Sequence, residues 1–247
     1  LRVSGDTAAR KPVLVVKSGR TGEGARASVS HTGSMAVDDA VFDAACRQAG
    51  LLRLDRFGEL FEIPKIFASQ PLPRRERLGI LTVTGGVAVM AIDRGAQYGL
   101  RLTRLSPSTA SMLDRIFPGA GQMPVDIGPM MAAVKDAFSR YAGILDAVMA
   151  DPNVDALFHV PWANPAGEII EDYLRAYEAV RGRYDKPLAT WVYGPDSRVA
   201  KDFGLRLEDM GFPVFKEPET AVKSLGLALQ YAKRRGIAGK TTSICCF

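Results

Sequence analysis

The sequence predicts an α/β protein of two units, each carrying a parallel sheet, with the first sheet incomplete. Three observations predict it. Short continuous apolar runs, such as Pro12-Val13-Leu14-Val15-Val16, recur along the 247 residues, as strands buried on both faces require. Segments of helical period follow these runs. A stretch rich in proline and charge, Ala68-Ser69-Gln70-Pro71-Leu72-Pro73-Arg74-Arg75-Glu76-Arg77, divides the series in two.

In the first series, the run ending at Val16 leads into a glycine-rich loop, Ser18-Gly19-Arg20-Thr21-Gly22-Glu23-Gly24. Val37, Ala40, Val41, Ala44 and Ala45 lie at helical spacing, so a helix is predicted from about Ala36 to Ala49, with Gly50 as its stop. Leu51 to Leu54 reads as a second strand. Phe57 to Phe67 reads as a second helix, kinked or ended by Pro64. Two short parallel strands leave open edges and a thin core, so this unit is expected to be part of a larger α/β domain.

In the second series, strands are predicted at Leu78–Thr84, Leu100–Leu105, Ala156–Val160, Leu188–Tyr193 and Pro213–Phe215. Helices are predicted at Val87–Tyr98, Pro107–Phe117, Met130–Ala150, Ala166–Arg183, Ser197–Met210 and Glu219–Arg235. Ser106-Pro107 is an N-cap followed by proline at the first helical position. Gly99 and Gly211 lie just past helices, and Asp151-Pro152 closes the long one. Such alternation implies a doubly wound sheet, flavodoxin-like or Rossmann-like, with ligands at the carboxyl ends of its strands. The expected division is 1–67, a linker over 68–77, a fuller unit over 78–236, and a tail over 237–247.

Composition excludes several classes. The net charge is +5 and scattered; Arg74-Arg75-Glu76-Arg77 and Lys233-Arg234-Arg235 are the dense clusters, without interleaved aromatics. Solvated linker and helix ends account for them, and no nucleic-acid partner is expected. No apolar run reaches membrane-spanning length, and Leu1 to Arg10 does not read as a signal peptide. Of the three cysteines, Cys46 falls in a helical pattern as a small core residue, while Cys245 and Cys246 are adjacent and poorly placed to bridge. No metal-ligand spacing is present, and a reducing cytoplasmic setting is expected. The chain does not open with Met, so a processed chain or fragment is expected.

Two segments carry chemistry. Ser30-His31-Thr32-Gly33-Ser34 holds one of only two histidines and precedes a predicted helix N-terminus. Unpaired N–H groups and the positive dipole end would keep the imidazole neutral and stabilise it once phosphorylated. The alternative is a histidine that bonds a loop carbonyl near a cap. Thr82-Val83-Thr84-Gly85-Gly86-Val87 takes a strand directly into a helix through two glycines, which builds an anion site or simply a tight turn. It matches neither the dinucleotide fingerprint nor a Walker A loop. If the two sites faced each other, a phosphohistidine could lie between two helix N-termini. His159 ends a predicted strand and reads as a buried, satisfied histidine or a catalytic one. Trp162 and Asn164 follow it and could line a substrate pocket. Asp126 reads as a cap or an orienting group, and Glu168 with Glu171 as a solvated helix face.

The residues Lys11-Pro12-Val13-Leu14-Val15-Val16-Lys17-Ser18-Gly19-Arg20-Thr21, Gly24-Ala25-Arg26-Ala27 and Ser30-His31-Thr32-Gly33-Ser34 resemble the second domain of NDP-forming acyl-CoA synthetases, in the succinyl-CoA synthetase superfamily. Asp43-Ala44-Ala45, Gln48-Ala49-Gly50 and Leu60-Phe61 continue the likeness. Thr84-Gly85-Gly86 resembles the family's Gly-Gly turn, and Pro124-Val125-Asp126 its Asn-Pro-Val-Asp loop, with Met123 in place of the asparagine. The resemblance implies that 1–67 bears the phosphohistidine and 78–236 is the flavodoxin-like CoA-ligase domain.

It also implies a mechanism. Phosphate attacks an acyl-CoA, His31 takes the phosphoryl group from the acyl phosphate, and a swinging loop, glycine-rich between Gly19 and Gly33, carries it to a nucleoside diphosphate. Ser30, Thr32, Gly33 and Ser34 would hold the phosphate from one helix end, and Thr84, Gly85 and Gly86 from the other. Metal and cofactor are not expected within the chain itself. CoA, phosphate and ATP/ADP with Mg belong to the complete enzyme, whose CoA-binding and ATP-grasp units, as domains or subunits, are the implied partners in an oligomer. The family glutamate that steadies the phosphohistidine has no counterpart between Leu1 and Arg10. A fragment or one subunit of such a ligase is therefore expected. A non-catalytic binding or regulatory module of the same fold and an oxamate-carbamoyltransferase-like relative are the alternatives.

Overall fold

Local signals in the chain resolve into short strands and well-capped helices. The structure, a computed structural model, describes residues 2–32, 37–133, 137–164 and 168–239. Two compact units divide between Pro64 and Lys65.

The first unit comprises α1 (Arg2–Ala8), β1 (Leu14–Val16), α2 (Gly22–Thr32), α3 (Asp39–Ala49), β2 (Leu52–Leu54) and α4 (Glu59–Glu62). β1 pairs with β2 in parallel, Leu14 opposite Leu52 and Val16 opposite Leu54. Cys46, Leu52, Leu54 and Ile63 are buried, whereas all of β1 stays half-buried. This is the thin, open two-stranded sheet expected from the sequence. Gly50 ends α3 with a φ of 75°, a left-handed conformation that a Cβ would strain, and its N–H returns to the last turn. α1 was not foreseen, because its polar, small residues carry no helical apolar stripe. The expected second helix divides into α4 and α5 (Pro64–Ser69), with Pro64 opening the latter.

The second unit holds β3 (Arg77–Thr82), α6 (Gly85–Gln97), β4 (Arg101–Leu102), α7 (Pro107–Ile116), β5 (Val125–Asp126), α8 (Gly128–Ala133), α9 (Ala137–Ala150), β6 (Ala156–Val160), α10 (Glu168–Val180), β7 (Leu188–Thr190), α11 (Ser197–Asp209) and α12 (Pro218–Arg234). Its strands pair in parallel in the order β4-β3-β6-β7. β4 pairs with the start of β3, at Arg77 and Leu78, and β5 pairs with its end, at Leu81 and Thr82. The sheet is covered on both faces. Leu157 and Leu188 face Tyr141, Tyr173 and Tyr177 of α9 and α10. Ile80, Phe158 and Ala189 face Val222 and Leu225 of α12. Burying each such large apolar side chain contributes about 1.5–3 kcal/mol.

The doubly wound prediction holds, with corrections in detail. The strand expected at Pro213–Phe215 is reduced to a single parallel bridge between Thr190 and Val214. The fifth strand is instead β5, two residues long, which shows no strand pattern of its own and exists through its pairing with β3. The strand expected at Leu100–Leu105 shrinks to β4. The single helix expected over Met130–Ala150 is described as α8 and α9. Ser106 caps α7 as read, and its N–H and Oγ also both donate to buried Asp151 at 2.9 Å, tying α7 to the end of α9.

Candidate functional site

The His31 motif does not sit where its sequence setting suggested. The glycine-rich run becomes helical at Gly22, so His31 and Thr32 close α2 instead of preceding a helix N-terminus. Thr21 starts this helix: its Oγ1 accepts from the Gly24 N–H at 3.1 Å and its carbonyl from the Ala25 N–H. Ser30 is exposed, and its Oγ donates to the Ala27 carbonyl at 2.8 Å. Gly33 and Ser34 lie outside the described residues. From Gly22 to Ser30 no residue of α2 is fully buried, so backbone hydrogen bonds chiefly hold it. Apolar periodicity could not reveal a helix that buries no face.

The next helix, α3, starts at Asp39 and not near Ala36. Its N-terminus is already occupied by carboxylates. Asp38 Oδ1 accepts from Ala40 and Val41, and Asp39 pairs with Arg53 at 2.6 Å, Arg20 at 3.6 Å and Lys17 at 3.8 Å. Burial opposes ionisation of Asp39, but Arg53, Arg20 and Lys17 outweigh it and hold the carboxyl below its usual range. This cluster, at the carboxyl end of β1 and β2, was missed because its members are scattered along the chain from Lys17 to Asp55.

The second turn takes a strand directly into a helix. β3 ends at Thr82, and Thr84 is the N-cap of α6 without a side-chain cap bond. Gly85 and Gly86 are exposed as the first residues of α6. The buried Thr82 hydroxyl shapes the turn, accepting from the Thr84 N–H and donating to the Thr84 carbonyl, both at 3.0 Å. Asp126, at the end of neighbouring β5, accepts from the Gly128 N–H at 2.9 Å. Its other oxygen stands 3.1 Å from where a Cβ on Gly85 would lie. With β4 and β5 on one side of β3 and β6 on the other, this turn occupies the switch point of the sheet, where such folds bind ligands.

His159 lies inside β6, wholly buried. Tyr141 Oη lies 2.6 Å from Nε2, Tyr177 Oη contacts Nδ1, and Tyr177 meets the Thr190 hydroxyl at 2.9 Å. Burial lowers its pKa to about 3 and pushes the surrounding phenols up, so the network is a neutral imidazole between protonated tyrosines. Both ring nitrogens have partners, as a buried, satisfied histidine requires. Trp162 and Asn164 follow β6 at the ligand-facing end and are half-buried. Trp162 bridges to Tyr193, and the Asn164 N–H bonds the Trp162 carbonyl at 3.1 Å.

The comparisons with known proteins now bear on these sites. The family model described as the succinyl-CoA ligase-like flavodoxin domain matches residues 1–67. ADP-forming acetate–CoA ligase II of Archaeoglobus fulgidus is 39% identical over 231 residues, covering 93% of this chain and 34% of the relative. The alpha subunit of ADP-forming acetate–CoA ligase I of Pyrococcus furiosus is 30% identical, with 94% of this chain and 49% of the relative covered. Over nearly its whole length the chain is therefore similar to part of the ADP-forming acyl-CoA ligases. Acetyl-coenzyme A synthetase 1 of Ca. Korarchaeum cryptofilum, solved in complex with phosphate and ADP, superposes with a TM-score of 0.78 at 28% identity, over 96% of this chain and 50% of that one. The chain thus spans a third to a half of the length of these synthetases. Among the described residues, no helix is long and apolar enough to cross a membrane.

Proposed function

We propose that this chain is the phosphoryl- and acyl-transfer part of an NDP-forming acyl-CoA synthetase, with His31 as phosphocarrier. The reading is supported by the presence in one chain of a motif histidine on a lightly anchored helix of the first unit and of an exposed helix N-terminus, without a side-chain cap bond, at the switch point of the second unit's sheet. Inorganic phosphate attacks the acyl carbonyl and the CoA thiolate leaves, giving acyl phosphate. A ring nitrogen of His31 then attacks phosphorus and the carboxylate leaves. An oxygen of the nucleoside diphosphate takes the phosphoryl group and frees the imidazole, yielding a nucleoside triphosphate.

In this reading the N–H groups of Gly85 and Gly86 receive the phosphoryl group, aided by Thr84, while Ser30, Thr32, Gly33 and Ser34 hold it from the carrier side. Trp162 and Asn164 border the acyl group, and acetate, which the relatives' names carry, is the acyl group to test first. CoA-binding and ATP-grasp domains or subunits complete the reaction in an oligomer. CoA, phosphate and ATP or ADP are its ligands, and Mg accompanies the nucleotide.

A cytoplasmic location follows from the substrates. Carriage from an α2 that forms helix through His31 requires that helix to shift or unwind at its end, and its glycines and exposed faces make this inexpensive. The test is incubation with a γ-labelled nucleoside triphosphate and a competent ATP-grasp partner. Acid-labile, base-stable label on the wild type, absent from His31→Ala, supports the reading. Absence of label on the wild type favours a binding module instead.

A further inference from the structure

We propose that a cavity at the carboxyl end of β7 binds a small organic anion with an apolar body, its head a carboxylate or a phosphate. This site is separate from the Gly85 turn and does not depend on the role of His31. The loop leaving β7 supplies Trp191 and Val192, and the first turns of α11 supply Ser197 and Ala200. Ligands of parallel α/β sheets sit at this end of the strands. The volume is about 570 Å³, within the range of sites that enclose a small molecule.

The chemistry of the wall selects the ligand. Val214 and Phe215 form an apolar floor with Val192 and Ala200. Gly204 of α11 faces Val214, and a Cβ there would lie 3.3 Å from Val214 Cγ1, so any larger residue would narrow the space. The rim is cationic. Lys65, Lys201 and Lys216 line it together with a single carboxylate, Glu208, which is already engaged by Lys65 at 2.9 Å. The Trp191 indole N–H donates to the Lys216 carbonyl at 3.3 Å, which fixes the aromatic wall against the segment carrying that ammonium group.

The same lysine argues against a peptide strand as occupant. The Thr190 N–H bonds the Pro213 carbonyl and the Phe215 N–H bonds the Thr190 carbonyl, so the Val214 carbonyl points away from the sheet. Lys65 Nζ donates to that carbonyl at 2.9 Å and blunts the edge against strand addition. A compact amphiphilic anion fits the apolar floor, the indole wall and the Lys201 ammonium at the mouth.

The test uses the whole chain and the fluorescent anion 8-anilinonaphthalene-1-sulfonate. Saturable binding at one site, displaced by octanoate or phenyl phosphate but not by octanol or phenol, is expected. Displacement by octanoate alone assigns a carboxylate head, and by phenyl phosphate alone a phosphate head. Lys201→Glu, on an exposed position, weakens binding about tenfold. Ala200→Trp fills the cavity and abolishes it, while Arg181→Glu, beyond the end of α10, leaves it unchanged. Amide shifts of Val192, Ala200 and Val214 on adding octanoate or phenyl phosphate to the unaltered chain give a readout that does not rely on any variant folding. Binding insensitive to both Lys201→Glu and Ala200→Trp, equal displacement by the neutral alcohols, or no shift at those amides would overturn the proposal.

Discussion

Asp126 Oδ2 lies 3.1 Å from the position a Cβ on Gly85 would take, so a carboxylate abuts the first residue of α6. The helix N-terminus favours anions, yet it already has one beside it. A free phosphate there meets both attraction from the dipole and repulsion from Asp126. On the proposed function, such balance suits a station that holds a phosphoryl group briefly and lets it go. Asp126→Asn keeps an oxygen for the Gly128 N–H but removes the charge. Phosphate titration followed at the Gly85 and Gly86 amides is expected to show affinity rising about tenfold in this variant.

His159 is expected to stay neutral across the physiological range. Its folded pKa of about 3 lies below the ordinary value of 6.5 because burial disfavours the imidazolium. Between those two values the unfolded chain binds a proton that the native chain does not. Stability therefore falls as pH drops below 6.5, by up to about 1.4 kcal/mol per pH unit. Imidazole ¹⁵N spectra should show one of the two histidines without titration from about pH 5 to 8. Tyr177→Phe, which strands a ring nitrogen and the Thr190 hydroxyl in the core, should cost about 1–3 kcal/mol in denaturant unfolding.

Asp151 adds to acid sensitivity. Burial opposes its ionisation, but hydrogen bonds from Thr109, Asn153 and Ser106 outweigh this and hold the carboxyl below its usual range. Its contribution is present above the unfolded carboxylate pKa and is lost as pH falls through the lower, folded one. Ser106→Ala removes the side-chain cap of α7 and the Oγ bond to Asp151, and keeps the bond from the backbone N–H. A loss of about 1–2 kcal/mol is expected at neutral pH, with a smaller difference from wild type in acid.

Gly226 of α12 lies against Tyr98, the C-cap of α6. A Cβ there would lie 2.3 Å from Tyr98 Cβ, a separation no pair of side chains tolerates. Gly226→Ala should destabilise by about 1–3 kcal/mol despite its better helix propensity, because the two helices must move apart. Gly86→Ala, with nothing within 4 Å of the added methyl, is the control and should leave the unfolding midpoint close to that of wild type.

Local chemistry made much of this molecule legible. Ala156–Val160 was read with its observed bounds, because five consecutive apolar-compatible residues buried on both faces leave an unbroken signature. Ser106-Pro107, Gly50 and Asp151-Pro152 marked helix ends through groups that act within a few residues of themselves. The Gly85-Gly86 turn was visible for the same reason. His31 was found as a motif, but its helix was not, since α2 buries no stripe that periodicity could register.

The amino-acid sequence by itself determined the α/β class, the helix caps and the segments that carry chemistry, because each is written in neighbouring residues. Tertiary structure alone decided the rest. β5 is a strand only through β3, and Asp126 reaches Gly85 only through that pairing. The partners of His159 come from helices 18 residues away on either side. The cavity of Trp191 and Lys201 draws on elements from Lys65 to Lys216. Distances across a fold depend on how layers pack, and no run of adjacent residues encodes them.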